Sequence, residues 1–262
     1  MDGFTPDIQI ISKPNDFTFV EQWYELANEE HFWMIWRLKA FMNQVRSLKI
    51  PLNQPLHGID VGCGRGLLRE QIEQQTAWTV DGAEIDLDSL KRNSRSRGRL
   101  FFYNILEQND RFRQSYDFLF LYDVLEHIEN THQFLRACCF MLKKNGLLFV
   151  NVPANQRLFS PYDTAMGHLR RYDKISLANE FDTDTFRLTD IRYWGFSLLP
   201  VLLARTLMLK NKKNGHNDII RSGFRPPHPL VNEAFKSLMS VETALLKRPA
   251  HGTSVLAVFV KL

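Results

Sequence analysis

The sequence predicts an α/β fold built on a doubly wound, mostly parallel sheet of seven strands, and three observations lead to this prediction. Strand-like and helix-like segments alternate from residue 56 to residue 152, and a glycine-rich turn at 62–66 follows the first strand directly. Two further strand-like segments, 186–194 and 252–262, lie far apart near the end of the chain. Alternation of this kind is typical of a parallel sheet covered by helices on both faces. The two late segments favour an antiparallel pair at one end of that sheet.

The individual elements follow from periodicity and from the positions of Gly and Pro. Residues 17–48 contain neither and repeat apolar residues at helical spacing, which predicts one or two N-terminal helices. Strands are expected at 56–61, 77–84, 99–104, 116–123, 146–152, 186–194 and 252–262, and helices over 67–75, from Leu87 and over 131–145. We therefore expect one domain over 1–262, with a helical cap (1–50), a core (51–194), a helical insertion (195–250) and a final strand (251–262).

Composition and charge restrict the class of protein. The 262 residues are 44% hydrophobic, which suffices for one sizeable core. A net charge of +4 is mild, whereas a dedicated nucleic-acid binder concentrates a basic excess, so we expect no nucleic-acid partner. Three cysteines without a CxxC pair predict neither a disulfide framework nor a zinc site, and we expect no metal. No basic segment followed by an apolar core opens the chain, so we expect no signal peptide and a cytoplasmic location.

The glycine-rich turn is the strongest local signal. The stretch "IDVGCGRGLL" places Gly62, Gly64 and Gly66 after a strand, with Asp60 two positions before the first glycine. Glycine permits a sharp turn and a close approach of backbone to a ligand. The helix that starts next offers N–H groups and a partial positive charge to an anionic group. An ordinary tight turn between strand and helix is the alternative.

Further motifs add a resemblance to a known family. "GIDVGCGRG", the acidic residue that ends "TVDGAE", "YDFLFLYDVLEHI" and "LKKNGLLFVNVP" together resemble the successive motifs of class I S-adenosylmethionine-dependent methyltransferases, in the branch that acts on small molecules. The resemblance spans roughly residues 56–153. It implies a Rossmann-like fold, S-adenosylmethionine as cofactor, S-adenosylhomocysteine as product, and methyl transfer by direct in-line displacement.

The resemblance also implies a set of cofactor-binding residues. Asp60, Gly62, Cys63, Gly64 and Gly66 would border the amino-acid portion and the ribose, and the backbone near Tyr122 would pass the methionine portion. Glu84 would receive the ribose hydroxyls, Ile85 would face the adenine, and Asn104 would stand where the family usually has Asp. Arg37, in the aromatic segment before the core, would pair with the cofactor carboxylate. A surface carboxylate at Glu84 and an ordinary amphipathic helix around Arg37 are the alternatives.

A polar segment after the fifth strand supplies the candidates for catalysis and for acceptor binding. "PANQRLFSPYDTAMGHLRRYDK" resembles the segment that covers the active site in the same branch of the family. His168 could accept a proton from the acceptor. His127, in "YDVLEHI", is a second catalytic candidate, and packing or capping at the helix start is its alternative role. The substrate candidates in this segment are Tyr162, Asp163, Arg170, Arg171 and Tyr172. An Arg pair is as often a structural ion-pair partner.

Three functions compete at this level. The first is methyl transfer to a small-molecule acceptor of apolar or lipid-like character. The second is a catalytically silent S-adenosylmethionine-binding protein, since Asn104 departs from the family pattern. The third is a nicotinamide-dependent oxidoreductase, which the spacing GxGxG rather than GxGxxG disfavours. The stretch "GFSLLPVLLARTLMLKNKKN" joins an apolar run to Lys210, Lys212 and Lys213, which predicts either a peripheral membrane contact or ordinary core packing.

Overall fold

The computed structural model describes residues 6–14, 29–210, 219 and 228–262. In this part of the chain one mixed sheet of eight strands runs in the order β1-β4-β3-β2-β5-β6-β8-β7. The strands are β1 (Ile8–Ile10), β2 (His57–Val61), β3 (Thr79–Glu84), β4 (Leu100–Phe102), β5 (Tyr116–Tyr122), β6 (Leu142–Pro153), β7 (Phe186–Trp194) and β8 (Ser254–Lys261). Pairing is parallel from β1 to β6, and β8 pairs antiparallel with both β6 and β7. The predicted fold class, including the antiparallel pair at the end of the sheet, is confirmed.

Helices lie between and beside these strands. They are α1 (Phe32–Ser47), α2 (Leu67–Gln75), α3 (Leu87–Lys91), α4 (Thr131–Met141), α5 (Pro161–Ala165), α6 (Lys174–Ala178), α7 (Leu199–Lys210) and α8 (Pro229–Leu245). The last two occupy the insertion between β7 and β8, and α8 packs on α1. None of the helices in the described residues combines the length and the apolar character that crossing a bilayer requires.

The central strands are buried on both faces, as the continuous apolar run in β5 predicts. Alternate side chains of β5 enter different cores, with Leu119 and Leu121 on one face and Phe118 and Phe120 on the other. Helix α1 belongs to the second core, where Phe41 meets Phe120 edge-to-face. Helix α1, the first helix described, is therefore packed against the central strands of the sheet.

Two details differ from the sequence-based expectations, and a third set of predicted residues is not described. Strand β1 is an eighth strand that the sequence did not indicate, because three residues are too few for a periodicity. Helix α4 ends at Met141 rather than at 145, because Leu142 already pairs with Tyr116 and Asn145 adopts a left-handed conformation with φ 61°. Residues 17–28 of the predicted N-terminal helices, together with Lys212 and Lys213, lie outside the described residues.

Candidate functional site

A cavity of about 1020 Å³ opens at the carboxyl ends of β2, β3 and β5. This edge, where the strand order reverses, is the usual ligand site of an open α/β sheet. Pockets for small molecules span roughly 300–1,000 Å³, so the cavity lies at the upper end of that range. Its walls come from the glycine turn, helix α1, the segment after β6 and helix α7. The volume is sufficient for a cofactor and an acceptor side by side.

The glycine turn forms the floor of this cavity. Gly62, Gly64 and Gly66 have φ of 74°, 51° and 80°, a region that favours glycine. A Cβ on Gly62 would stand 2.7 Å from Val124 Cγ2, so space as well as conformation requires the glycine. Gly66 begins helix α2 without a side-chain cap, and Leu67 and Leu68 line the cavity. The first N–H groups of α2 are therefore available to an anionic ligand group.

Glu84 ties β3 to the glycine turn. Its carboxylate accepts hydrogen bonds from the backbone N–H groups of Gly64 at 2.9 Å, Ile85 at 2.7 Å and Asp86 at 3.1 Å. Burial raises the pKa of Glu84, whose residue is only 8% exposed. A carboxylate has about four acceptor positions, so about one remains for a ligand. Glu84 thus shapes the turn and presents an acceptor to the cavity that it lines.

Asp60 is a second buried carboxylate in the cavity wall. It is 3% exposed, and its carboxylate accepts no hydrogen bond among the described residues. Burial raises the pKa of Asp60 to about 7, although the charges of Arg37 and Arg69 oppose this shift. A buried carboxylate without a protein partner is costly. A cationic ligand group beside Asp60 would remove that cost.

Arg37 reaches the cavity from helix α1 and is already paired. Its Nη1 donates to Asp123 Oδ2 at 2.7 Å, while Asp123 Oδ1 accepts from Asn151 Nδ2 at 2.7 Å. The guanidinium carbon lies 5.3 Å from the Trp33 ring and 5.7 Å from the Tyr122 ring. Its Nε has no hydrogen-bond partner in the described residues. Arg37 is therefore held in position with one buried donor left over.

Asp163 is the centre of a buried network in the segment after β6. It accepts from His168 Nδ1 at 3.0 Å, Arg171 Nε at 2.8 Å and the N–H of Ser160 at 2.8 Å. Burial opposes its ionisation, but the bonds from His168 and Arg171 hold the pKa of Asp163 well below its usual range. An ionised carboxylate only accepts hydrogen bonds, so His168 Nδ1 is the donor. In the neutral imidazole the lone pair then lies on Nε2.

Comparison with known proteins bears on what this arrangement is. A family model described as a methyltransferase domain matches residues 28–191, which is more than half of the chain. The chain belongs to this methyltransferase family. The predicted class, a class I S-adenosylmethionine-dependent methyltransferase, and its predicted cofactor are thereby confirmed.

Individual relatives agree with the family. The chain is 31% identical over 104 residues to a ubiquinone biosynthesis O-methyltransferase of Agrobacterium fabrum, covering 37% of this chain and 42% of that one. It is 26% identical over 193 residues to the mitochondrial enzyme of the same description from Dictyostelium discoideum, covering 60% and 58%. The matched segment spans about half the length of these relatives. An S-adenosylmethionine-dependent methyltransferase from Mesorhizobium loti shares the fold, with a TM-score of 0.54, 14% identity and coverage of 84% and 97%.

The structure of this methyltransferase brings most of the predicted cofactor residues to the cavity. Those that line it are Arg37, Asp60, Gly62, Cys63, Gly64, Glu84, Ile85, Asn104 and Tyr122. Gly66 stands behind them at the start of α2. The amide oxygen of Asn104 accepts from the N–H of Leu106 at 3.1 Å, which leaves it a second acceptor position. Burial raises the pKa of the Cys63 thiol, so this side chain is an inert wall of the site.

The predicted catalytic and substrate residues divide into two groups. His127, His168, Tyr162 and Arg171 line the cavity, and Arg205 of α7 stands 4.3 Å over the Tyr162 ring. Asp163, Arg170 and Tyr172 do not belong to the lining. Arg170 lies 3.8 Å from Glu180, and the hydroxyl of Tyr172 donates to the carbonyl of Leu125 at 3.4 Å. These three support the wall from behind.

Three residues of the site were not predicted from the sequence. Asp123, directly after β5, adopts φ 60° and pairs with Arg37. Glu126 is completely buried, lines the cavity and accepts no hydrogen bond from another described residue at either carboxylate oxygen. Arg205 reaches in from the insertion. The acidic residues that flank "VL" in "YDVLEHI" were the available signal for the first two, since polar groups beyond a strand's carboxyl end face the ligand site.

Proposed function

We propose that this protein transfers the methyl group of S-adenosylmethionine to a small, apolar acceptor. The observation that carries the proposal is the continuity of one cavity from the glycine turn to His168 and on to the apolar side of α7. The glycine turn suits the cofactor, whereas Val201, Leu202 and Met208 offer an apolar wall. The relatives, whose matches cover up to 60% of this chain, are described as O-methyltransferases, and this description supports an oxygen atom as the methyl acceptor.

The residues present fit the cofactor's charges and hydroxyl groups. The unpartnered carboxylate of Asp60 would hold the ammonium group, and the Nε of Arg37 with the first N–H groups of α2 would hold the carboxylate. Glu84 would accept from the ribose with its remaining position, and Ile85 would lie against the adenine. The assignments to the Asp60 carboxylate, to Arg37 Nε and to Glu84 each use hydrogen-bonding capacity that the described residues leave open.

The cofactor supplies an activated methyl group on a sulfonium, so the protein's task is alignment and the exclusion of water. The wall of α7 would exclude water from the acceptor side. His168 would take the acceptor's proton at Nε2, because Asp163 fixes the opposite ring nitrogen as the donor. In this transfer a carbon–oxygen bond would form as the carbon–sulfur bond breaks, and the electron pair of the broken bond would stay on sulfur.

Helix α7 also suggests how an apolar acceptor would arrive. Leu207 and Met208 are 56% and 61% exposed, and Met208 lines the cavity as well. An exposed apolar lip beside a cavity mouth is typical of contact with a membrane or an apolar ligand. We infer that the protein touches membranes peripherally through this lip, from which a lipid-like acceptor would enter. A cytoplasmic location stays a prediction.

A product screen tests the proposal. The protein would be incubated with a deuterium-labelled methyl donor and fractionated extracts, including the lipid fraction, and labelled products would be sought by mass spectrometry. Label in an apolar small molecule is the expected result. Calorimetric binding of S-adenosylhomocysteine with no labelled product in any fraction would instead favour the catalytically silent binding protein.

A further inference from the structure

The geometry points to a divalent-cation site in the cavity wall, formed by Glu126, His127 and His168. One ligand atom from each of these side chains lies within 4.8 Å of the other two. All three residues line the cavity, and the two imidazole rings meet edge-to-face with centroids 4.8 Å apart. Zinc bonds of about 2.0–2.2 Å place tetrahedral ligands roughly 3.4 Å apart, so the side chains need to approach by no more than about 1.4 Å.

The two histidines already have the outer hydrogen bonds that ligating imidazoles use. His168 Nδ1 donates to Asp163 Oδ1 at 3.0 Å, and His127 Nδ1 stands 3.2 Å from the carbonyl oxygen of Gly167. A carbonyl oxygen only accepts, so His127 Nδ1 is also a donor. Metal-bound histidines almost always donate their second nitrogen to a carboxylate or a carbonyl, which fixes the tautomer and the ring orientation. With Nδ1 engaged in this way, Nε2 of each ring would be the nitrogen that binds the cation.

Glu126 supplies the second, independent observation. It is fully buried, and neither carboxylate oxygen accepts a hydrogen bond from another described residue, although the side chain reaches the cavity. Buried carboxylates are normally paired, hydrogen-bonded or bound to a metal. A cation between Glu126 and the two imidazoles would give this carboxylate its missing partner.

The backbone holds the two halves of the site together. The N–H of Leu169 donates to the carbonyl of Glu126 at 2.8 Å, so the chain segments that carry the ligands are hydrogen-bonded directly. Gly167, with φ 77°, turns the chain so that the N–H of His168 returns to the carbonyl of Asp163 at 2.8 Å. Pre-positioned ligands of this kind lower the cost of ordering a metal site.

Two nitrogen ligands and one oxygen ligand select the type of cation. This set suits zinc and its neighbours among the transition metals, whereas magnesium and calcium prefer all-oxygen sites. With three protein ligands, a tetrahedral ion keeps a fourth position for a ligand. The sequence-based expectation of no metal rested on the spacing of the cysteines. The three ligands proposed here contain no cysteine, and they come from two segments about forty residues apart in the sequence, so no short motif indicates them.

The existence of this cation site does not depend on the proposed function, but its role in methyl transfer does. A cation facing the acceptor would lower the pKa of the acceptor's hydroxyl group, which would lose its proton to water before the carbon–oxygen bond forms and the carbon–sulfur bond breaks. The lone pair of His168 Nε2 serves either the cation or the acceptor's proton. The site therefore predicts that His168 acts through the metal when zinc is bound.

Calorimetry on the protein of residues 1–262 tests the site without any need for turnover. Chelator-treated, dialysed protein would be titrated with zinc chloride, and then with magnesium chloride. We expect one zinc ion per chain and weaker binding of magnesium. His168→Ala and Glu126→Gln should each weaken zinc binding about tenfold or more, since even outer-shell changes cost 10–100-fold. His132→Ala, an exposed histidine on α4 outside the cavity lining, is the matched control and should bind zinc like the wild type.

Glu126→Gln also separates ligand loss from misfolding. It keeps the side-chain shape and removes a buried, unpartnered carboxylate, so thermal unfolding should show a fold at least as stable as the wild type. Absence of stoichiometric zinc binding by the wild type would overturn the site, as would equal binding by the wild type and both ligand variants. A protein that binds zinc as described but methylates nothing would contradict the proposed function alone.

Discussion

Arg37 of helix α1 donates to Asp123 at the end of β5 over 2.7 Å, and this ion pair joins the N-terminal helix to the carboxyl edge of the sheet. Both side chains line the cavity. Arg37 is 6% exposed at its side chain and Asp123 is 20% exposed, so the pair is largely removed from water. The helix that the sequence predicts as a cap is thus coupled to the site electrostatically as well as by packing.

Removing one partner of this pair should destabilise the protein. Arg37→Met keeps much of the volume and leaves Asp123 buried without its cation, which typically costs about 3–5 kcal/mol. We expect a loss near the lower end of that range in urea unfolding, because Asp123 keeps some contact with water. Adding Asp123→Asn should recover part of the loss. Arg46→Ala, an exposed change on the same helix, should have little effect, and equal unfolding midpoints for all variants would contradict the coupling.

Glu84 should control cofactor affinity. Glu84→Ala removes a charged acceptor from the cavity and the anchor of the Gly64 N–H, so binding of S-adenosylhomocysteine should weaken by about 1.5–3 kcal/mol. Calorimetry measures the change, and Glu107→Ala, an exposed glutamate beyond β4, is the control. If the Glu84 variant bound as tightly as the wild type, the ribose would have to lie elsewhere.

Asp60 should give the apo-protein a characteristic pH dependence. Burial penalises the charged form and raises the pKa of Asp60 from its ordinary value of 3.8 to about 7 in the folded protein. The protonated carboxyl favours folding below about pH 4, and this contribution is lost as the pH rises through 7. Relative to Asp60→Asn, the unfolding free energy of the wild type should therefore fall between pH 4 and pH 7, by at most about 4 kcal/mol.

The same titration has a second readout in ligand binding. An ammonium group beside Asp60 would favour the charged form, so S-adenosylhomocysteine should bind the wild type more tightly as the pH rises towards 8. The asparagine variant should lack this gain. Arg37, Arg69, Glu84 and Asp123 also act on Asp60, which is why the difference between wild type and variant, rather than either curve alone, is the quantity to compare. Parallel curves for the two proteins would place the ammonium group away from Asp60.

The exposed lip of α7 should mediate membrane contact. Vesicles that contain anionic lipid should sediment the wild type at low salt. Leu203 and Leu207 are 48% and 56% exposed on this helix. Changing both to Glu should lower the membrane partition coefficient at least tenfold, because full burial of each apolar side chain would contribute about 1.5–3 kcal/mol. Ile175→Glu is the matched control, since Ile175 is 74% exposed on α6, away from the cavity lining. Equal sedimentation of the control and the lip variant would leave the lip as a cover for the acceptor.

How much the sequence predicts depends on how local each cause is. The turn at Gly62 and the acidic end of β3 follow from backbone conformation and strand ends, so nearly all the residues predicted to bind the cofactor line the cavity. The role of Asp163 is different, because an aspartate in a polar loop looks the same in sequence whether it faces a substrate or, as here, supports His168 from a buried position. The meeting of Glu126 with His168 depends on how the segment after β6 folds back, which no local pattern encodes.

His168 provides the sharpest test of the chemistry. His168→Ala should leave affinity for S-adenosylhomocysteine nearly unchanged, since the glycine turn, Asp60 and Glu84 are untouched, while turnover with an identified acceptor falls roughly 10²-fold or more. His132→Ala should retain wild-type turnover. Arg171→Ala is expected to behave differently from both, because it removes a buried partner of Asp163 and should lower the stability of the fold before it affects the chemistry.

Treatment with a chelator then decides whether His168 acts through a cation or as a proton acceptor. If His168 acts through a cation, chelated wild type and His168→Ala should be equally slow, and zinc should restore only the wild type. If His168 acts as a proton acceptor alone, chelation should leave the wild type fully active. If His168→Ala instead loses cofactor binding together with turnover, the segment after β6 has a structural role.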